Sequence, residues 1–241
     1  MWLVATYKPV SLFSLKMTLS TSSGGKTLLV PTPYAVKLAM VDAAFRVKGQ
    51  EYAEQVFSLI KDKKIRFNPP RHATVNHTFI KILREAKDKK EQYFIPSIAF
   101  REFCFFQGTL QVALELTGDE EERRLLSLVM SHINYFGKRG SFFQYIGIEE
   151  CVQLGSGFSV AVPEDLTTAN VMDYTVGQFL DDLGETDAPD LFNRLNTYSG
   201  AKMELGKHRV IKQYLLPYRE RETTRSYTYY EKTVEEPKSG K

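Results

Sequence analysis

The sequence predicts an α+β protein: a β-α-β-β-α-β series over residues 1–154, then a β-rich, irregular extension. Three observations predict it. A strand-like run, WLVATY, precedes a helix with both ends written in the sequence. A second capped helix begins at Asp119, between further strand-like runs. Residues 207–234 return to alternating, aromatic, strand-like sequence. With 241 residues and 43% apolar content the chain can bury a real core, and no apolar run approaches the roughly 20 residues of a membrane span. No basic stretch followed by an apolar one opens the chain, so no signal peptide is expected. Two cysteines, Cys104 and Cys151, make neither a disulfide framework nor a four-ligand zinc site, and the expected setting is a reduced cytoplasm.

The elements follow in order. Trp2–Tyr7 is the first strand. Residues 10–31 hold a flexible turn, STSSGGK, between two strand-capable runs. Lys16 and Lys26 beside glycines that expose backbone N–H groups can cradle a phosphate chain, or the segment is an ordinary mobile loop. GGKT lacks the spacing of a Walker A motif, which excludes nucleotide binding of that kind. Thr32 is the expected N-cap of the first helix, Pro33 its first residue and Gly49 its stop. Tyr34, Leu38, Val41 and Phe45 form its expected apolar stripe, small alanines let a neighbour approach, and Lys37, Arg46 and Lys48 are expected on its remaining surface. Residues 51–64 continue as a shorter helix, and IRFNPP is a short strand ended by two prolines.

Residues 71–100 form a basic insertion: from Lys61 to Arg101 there are 11 Lys and Arg against 4 Asp and Glu. Phe79, Tyr93, Phe94 and Phe100 interleave with those charges, a mixture that suits single-stranded nucleic acid. A solvated helix over IKILREAKDKK accounts for part of the same charge. REFCFFQGTLQVALELT (101–117) reads as one long buried strand, bulged at Gly108, with Phe103, Phe105 and Phe106 in the core rather than on bases. Asp119 caps the second helix with Glu122 as its capping-box partner, and Gly137 ends it. GKRGSFFQYIGIEECVQL leads into the fourth strand. The order is that of a ferredoxin-like domain, as in RNA-recognition modules. Residues 155–200 are read as packed but irregular, with a short helix within VMDYTVGQFLDDLG. Residues 155–234 form the extension, and 235–241 are expected to be a disordered tail.

Charge is uneven. Residues 1–139 carry +8, residues 140–193 carry −10 and residues 194–241 carry +5. One surface facing a polyanion and another turned elsewhere is the expectation, against a solvated surface with accidental blocks. The acidic block is read as a face away from RNA or towards a basic protein partner.

With these pieces in order, the sequence resembles the Cas-five family of CRISPR-associated proteins, in the repeat-associated RNA-binding superfamily. Four stretches carry the resemblance: the opening strand and loop with LLVPTPYAVKLAMVDAAFR, the basic insertion 71–100 in the place of the family's thumb, SIAFREFCFFQGTLQVALEL, and YFGKRGSFFQYIG. The resemblance implies a non-catalytic subunit of a type I interference complex (Cascade). It would bind the 5′ handle of a CRISPR RNA, contact a Cas-seven backbone subunit and a large Cas-eight-type subunit, and meet target DNA through the complex. No cofactor, metal or membrane is implied. The expected RNA-binding residues are Lys16, Lys26, Arg46, Arg66, Arg71, His77, Lys81, Arg101, Lys138 and Arg139. Arg101 can hold phosphate in a bidentate way or stack on a base, or pair with Glu102. Arg46 alternatively is a solvated helix residue, and Lys138 and Arg139 alternatively complement the end of the second helix. The competing expectation is a metal-independent endoribonuclease acting on precursor CRISPR RNA, with His72 or His77 as acid or base and a lysine such as Lys81 beside the phosphorane.

Overall fold

The elements, in the computed structural model, alternate between long sheets and three main helices. The structure describes residues 1–20, 24–86, 93–138, 140–165, 173–196 and 198–234. In chain order they are β1 (Trp2–Pro9), β2 (Leu15–Lys16), β3 (Gly24–Gly25), β4 (Thr27–Leu28), α1 (Pro33–Lys48), α2 (Gln50–Ile60), β5 (Ile65–Asn68), β6 (His72–Glu85), β7 (Phe94–Gln107), β8 (Leu110–Glu115), α3 (Glu120–Ser131), β9 (Phe143–Cys151), β10 (Val160–Val162), β11 (Val176–Leu183), α4 (Leu191–Leu195), β12 (Arg209–Leu216), β13 (Tyr218–Thr223) and β14 (Tyr227–Lys232). The protein is α+β and strand-rich. The tail expected at 235–241 lies outside the described residues.

Four strands form the first sheet in the order β5-β8-β1-β9, every neighbouring pair antiparallel. Alternate residues of each strand point to one face, so the register stacks Leu3, Leu114 and Ile65 in one row and Ala5, Val112 and Phe67 in the next. These join the main core with Val36, Met40 and Ala43 of α1 and Val129 and Met130 of α3. The Tyr7 hydroxyl donates to the Met130 carbonyl at 2.8 Å, tying β1 to the end of α3.

The ends of α1 are where the sequence places them. The Thr32 hydroxyl accepts from the Ala35 N–H at 3.1 Å, and the Gly49 N–H closes the last turn on the Phe45 carbonyl. Its faces are not. Val36, Ala39, Met40, Ala43 and Ala44 are buried, whereas Phe45 is exposed and Tyr34, Leu38 and Val41 only half-buried. The small residues win the inner face because they let α1 come close to its neighbours. Lys37, expected on the surface, is 1% exposed. Its ammonium donates to Asp182 at 2.7 Å and to the Lys61 carbonyl at 2.8 Å. Burial drives its pKa down, and Asp182 pulls it back up.

Residues 101–117 are not one strand. Gly108 turns at φ 137° and divides them into β7 and β8, which belong to different sheets. The region IKILREAKDKK is not helical over its described part, because Lys81–Glu85 continue β6 and pair along Ile98–Phe94 of β7. The helix expected within VMDYTVGQFLDDLG is the strand β11. Val176–Leu183 pair residue for residue with Leu216–Arg209 of β12, which supplies the hydrogen-bonding partner that makes this segment a strand. Strands β10-β12-β11 form a three-stranded sheet, and β13-β14-β6-β7-β3 a five-stranded one. The C-terminal strands therefore return to complete the sheet begun by the basic insertion.

Candidate nucleic-acid interface

The hairpin β2–β4, the start of α1 and the turn after α3 enclose an open cavity of about 350 Å³. Leu15, Leu28, Leu38 and Ala39 give it apolar walls. Lys16, Lys138 and Arg209 give it cations, and Tyr34 and Tyr135 give it rings. Lys16 is exposed at the mouth, next to the buried pair Leu15 and Leu28 of the hairpin. Lys138 follows Gly137, which turns at φ 65°; α3 already ends at Ser131 with His132 as its C-cap, so Gly137 is a later turn and not the helix stop expected. The Arg209 guanidinium lies 4.6 Å over the Tyr34 ring, pairs with the buried Asp181 carboxylate and donates to the Thr18 hydroxyl at 3.0 Å. Burial raises the Tyr34 pKa, partly against Arg209, so that phenol is a neutral donor and stacking surface. A phosphate can sit between lysines held this way while a base packs on a tyrosine.

Two expected residues, Lys16 and Lys138, thus meet at one cavity across more than a hundred residues of sequence. Lys26 is exposed next to β4 but does not line it. Arg139 lies outside the described residues. Arg209 and Tyr34 were missed as partners; a lone arginine at a strand start carries no local signal of a site built by α1.

Three arginines take different places. Arg46 pairs with Asp42 at 3.0 Å and donates to the His132 carbonyl at 2.9 Å, which ties α1 to the end of α3. Arg66, 3% exposed, is not a surface ligand. Its strand neighbours Ile65 and Phe67 enter the core, so alternation sends Arg66 to the opposite face, where it meets Asp165 at 2.5 Å and Glu164 at 3.4 Å and lies 5.6 Å over Tyr214. Burial opposes ionisation of both acids, but Arg66 and the Ala161 N–H hold Asp165 below the usual range, and Lys212 with Arg66 does so for Glu164. Arg71 is exposed and 3.6 Å from Glu231. The acidic block is therefore no single outward face: Asp181 and Asp182 are buried against Arg209, Lys37 and Lys212, while the half-buried Asp165 and the exposed Glu164 pair with the buried Arg66.

Strands β6 and β7 form a long hairpin, paired from His72–Gln107 to Glu85–Phe94. Its register places His77, Phe79, Lys81 and Leu83 on the same face as Glu102, Phe100, Ile98 and Pro96. Phe79, Leu83, Phe94 and Ile98 are exposed there, Phe79 to 72%. His77 lies 3.3 Å from the Thr228 hydroxyl and 3.8 Å from Glu102. Glu102 itself is buried and accepts from the Thr27 N–H at 2.9 Å, so it anchors β4 to β7. Arg101 faces the other way, against Gly25 of β3, where a Cβ would stand 2.6 Å from its Cδ. Among the described residues no group of His, Cys, Asp and Glu is arranged to hold a metal, and no helix is long and apolar enough to cross a membrane.

A strand-rich α+β protein with a basic, ring-lined cavity and a projecting hairpin is the class these features define. The chain is 32% identical over 107 residues to the CRISPR-associated protein Cas5 of Archaeoglobus fulgidus, and over that stretch it is Cas5-like. The match spans 44% of this chain and about half, 47%, of the relative. No family model matches the chain. A crystal structure of a CRISPR protein from Archaeoglobus fulgidus aligns at TM-score 0.48 and 12% identity over 96% of this chain and 91% of that one. A chain of a CRISPR RNA-guided surveillance complex aligns at 0.42 and 12% over 89% and 88%.

Proposed function

We propose that this protein is a non-catalytic, RNA-binding, Cas5-type subunit of a type I CRISPR effector complex that holds the 5′ handle of a CRISPR RNA. The observation that carries the reading is the convergence of Lys16, Lys138 and Arg209 with Tyr34 and Tyr135 at one open cavity. Lysines grip phosphates as mobile point charges, and the tyrosines and apolar walls receive an unstacked base. The hairpin β6–β7, with Lys81 among exposed apolar side chains, is the thumb that reaches towards a Cas-seven-type backbone subunit, with a large subunit alongside and target DNA met through the assembly. The four-stranded sheet with α1–α2 and α3 as its two crossovers is a ferredoxin-like unit, supported by its strand order and antiparallel pairing.

The arrangement of the histidines favours binding over cleavage. His72 and His77 point to opposite faces of β6. His77 and Lys81, four residues apart on a strand, stand roughly 13 Å apart, too far to serve one phosphate.

The test is RNA binding across salt concentrations. The full chain, with a labelled RNA carrying the handle of its own CRISPR array, is compared with Lys16→Ala, Lys138→Ala and the double variant. Each lost phosphate contact lowers the slope of log K against log salt by about 0.7 for a single strand. Unchanged slopes and affinities would remove the cavity from the RNA path. Cleavage of precursor RNA by the purified chain in a chelator would replace binding by catalysis.

A further inference from the structure

The outer face of the five-stranded sheet has the wrong composition for an idle surface. In an antiparallel sheet with one buried face, the other is ordinarily polar. The inner face obeys: Ala73, Val75, Cys104, Phe106 and Thr228 are buried. The outer face instead presents four aromatic rings in two rows. Register places Tyr229, Thr74 and Phe105 side by side across β14, β6 and β7, and Tyr227, Asn76 and Phe103 in the next row. Phe105 is 49% exposed, and the other three rings are half-buried.

We propose that this face is a second binding surface, and that its occupant is single-stranded RNA stacked by its bases. The two ring columns stand about 10 Å apart, twice the strand spacing, and recur about every 7 Å along each strand. Thr74 and Asn76 lie between them, and His72 stacks on Tyr229 with its Nδ1 2.7 Å from the phenol oxygen. Rings hold bases whatever the sequence, while the hydroxyl and amide between them offer partners to base edges and to the ribose 2′-hydroxyl. Cations rim the face: Arg101 of β7 beside Gly25 at one end, and at the other Arg219 opposite Glu231 in register, with Arg71 3.6 Å and Arg221 2.8 Å from that carboxylate. The two acids there are engaged, Glu231 with Arg221 at 2.8 Å and Glu222 with the Tyr227 hydroxyl at 2.8 Å. A polyanion with stackable bases therefore fits better than an apolar protein surface. This surface is separate from the basic cavity and does not depend on what that cavity holds.

The probe is a labelled 12-residue oligouridine, with the matching deoxythymidine oligomer as the second arm. Phe105→Ala and Tyr229→Ala each weaken RNA binding by roughly 5- to 150-fold, the range of one lost stack, without changing the salt slope, and Phe105→Trp restores it. Lys16→Ala with Lys138→Ala leaves the contribution of the rings intact. Photocross-linking of a 4-thiouridine oligomer to the unaltered chain, which needs no variant to fold, labels residues 103–107 or 227–229. Alanine variants that bind like the unaltered chain, cross-links confined elsewhere, or deoxythymidine binding as tight as oligouridine would overturn the proposal.

Discussion

Lys37 shows how a single side chain can be costly and indispensable at once. Its ammonium is buried in α1 and compensated by Asp182 of β11, 145 residues later. Removing one member of such a pair strands the other charge without water, so Asp182→Ala should lower stability by about 3–5 kcal/mol in urea unfolding. The paired change Lys37→Met with Asp182→Leu should recover most of that loss, because neither charge then remains to be desolvated. Recovery that fails would mean the pair does more than balance its own burial. The rings of the outer sheet behave differently. Phe105 is half in solvent, so its truncation should cost little stability, and a variant that binds RNA poorly should still melt like the unaltered chain.

At the scale of elements, Gly108 decides which sheet each half of a long apolar run joins. A side chain there would be forced into a φ near 137°, with its Cβ 3.0 Å from Pro70. Gly108→Ala should therefore destabilise the protein by about 1–3 kcal/mol, read as a lower denaturant midpoint at unchanged slope. The hairpin β6–β7 has the opposite character at its far end. Leu83 and Ile98 are 70% and 67% exposed, so Leu83→Ser with Ile98→Ser should change stability by less than about 0.5 kcal/mol per site. The same double variant should reduce co-purification of other subunits with this chain if the hairpin is the thumb of an assembly. Full recovery of those subunits would detach the hairpin from that role.

Over the whole molecule, acids of the extension hold the sheet of the N-terminal part. Asp165 and Glu164 have folded pKa values below their usual 3.8 and 4.5. The unfolded chain therefore binds more protons in that range, and stability present above about pH 4.5 is lost as pH falls through the folded values. Asp165→Asn should flatten the fall of stability between about pH 5 and pH 3, measured by urea unfolding at each pH. An unaltered acid slope would show that Arg66 does not depend on this carboxylate.

What was legible beforehand was local. The ends of α1 were readable because Thr32 and Gly49 act within one turn of themselves, and the strand-helix order followed from periodicity over a few residues. Lys16 and Lys138 were readable as cations beside turn glycines, although not as neighbours. The tertiary structure alone decided that α1 buries its alanines and Lys37, that Arg66 faces acids rather than solvent, that Arg209 completes a cavity begun by Lys16, and that Phe103 and Phe105 stand on the outer face of β7 while only Phe106 of the three enters the core. Each of those outcomes depends on a partner brought from distant sequence by sheet register, and burial or charge pairing is settled only once that partner arrives.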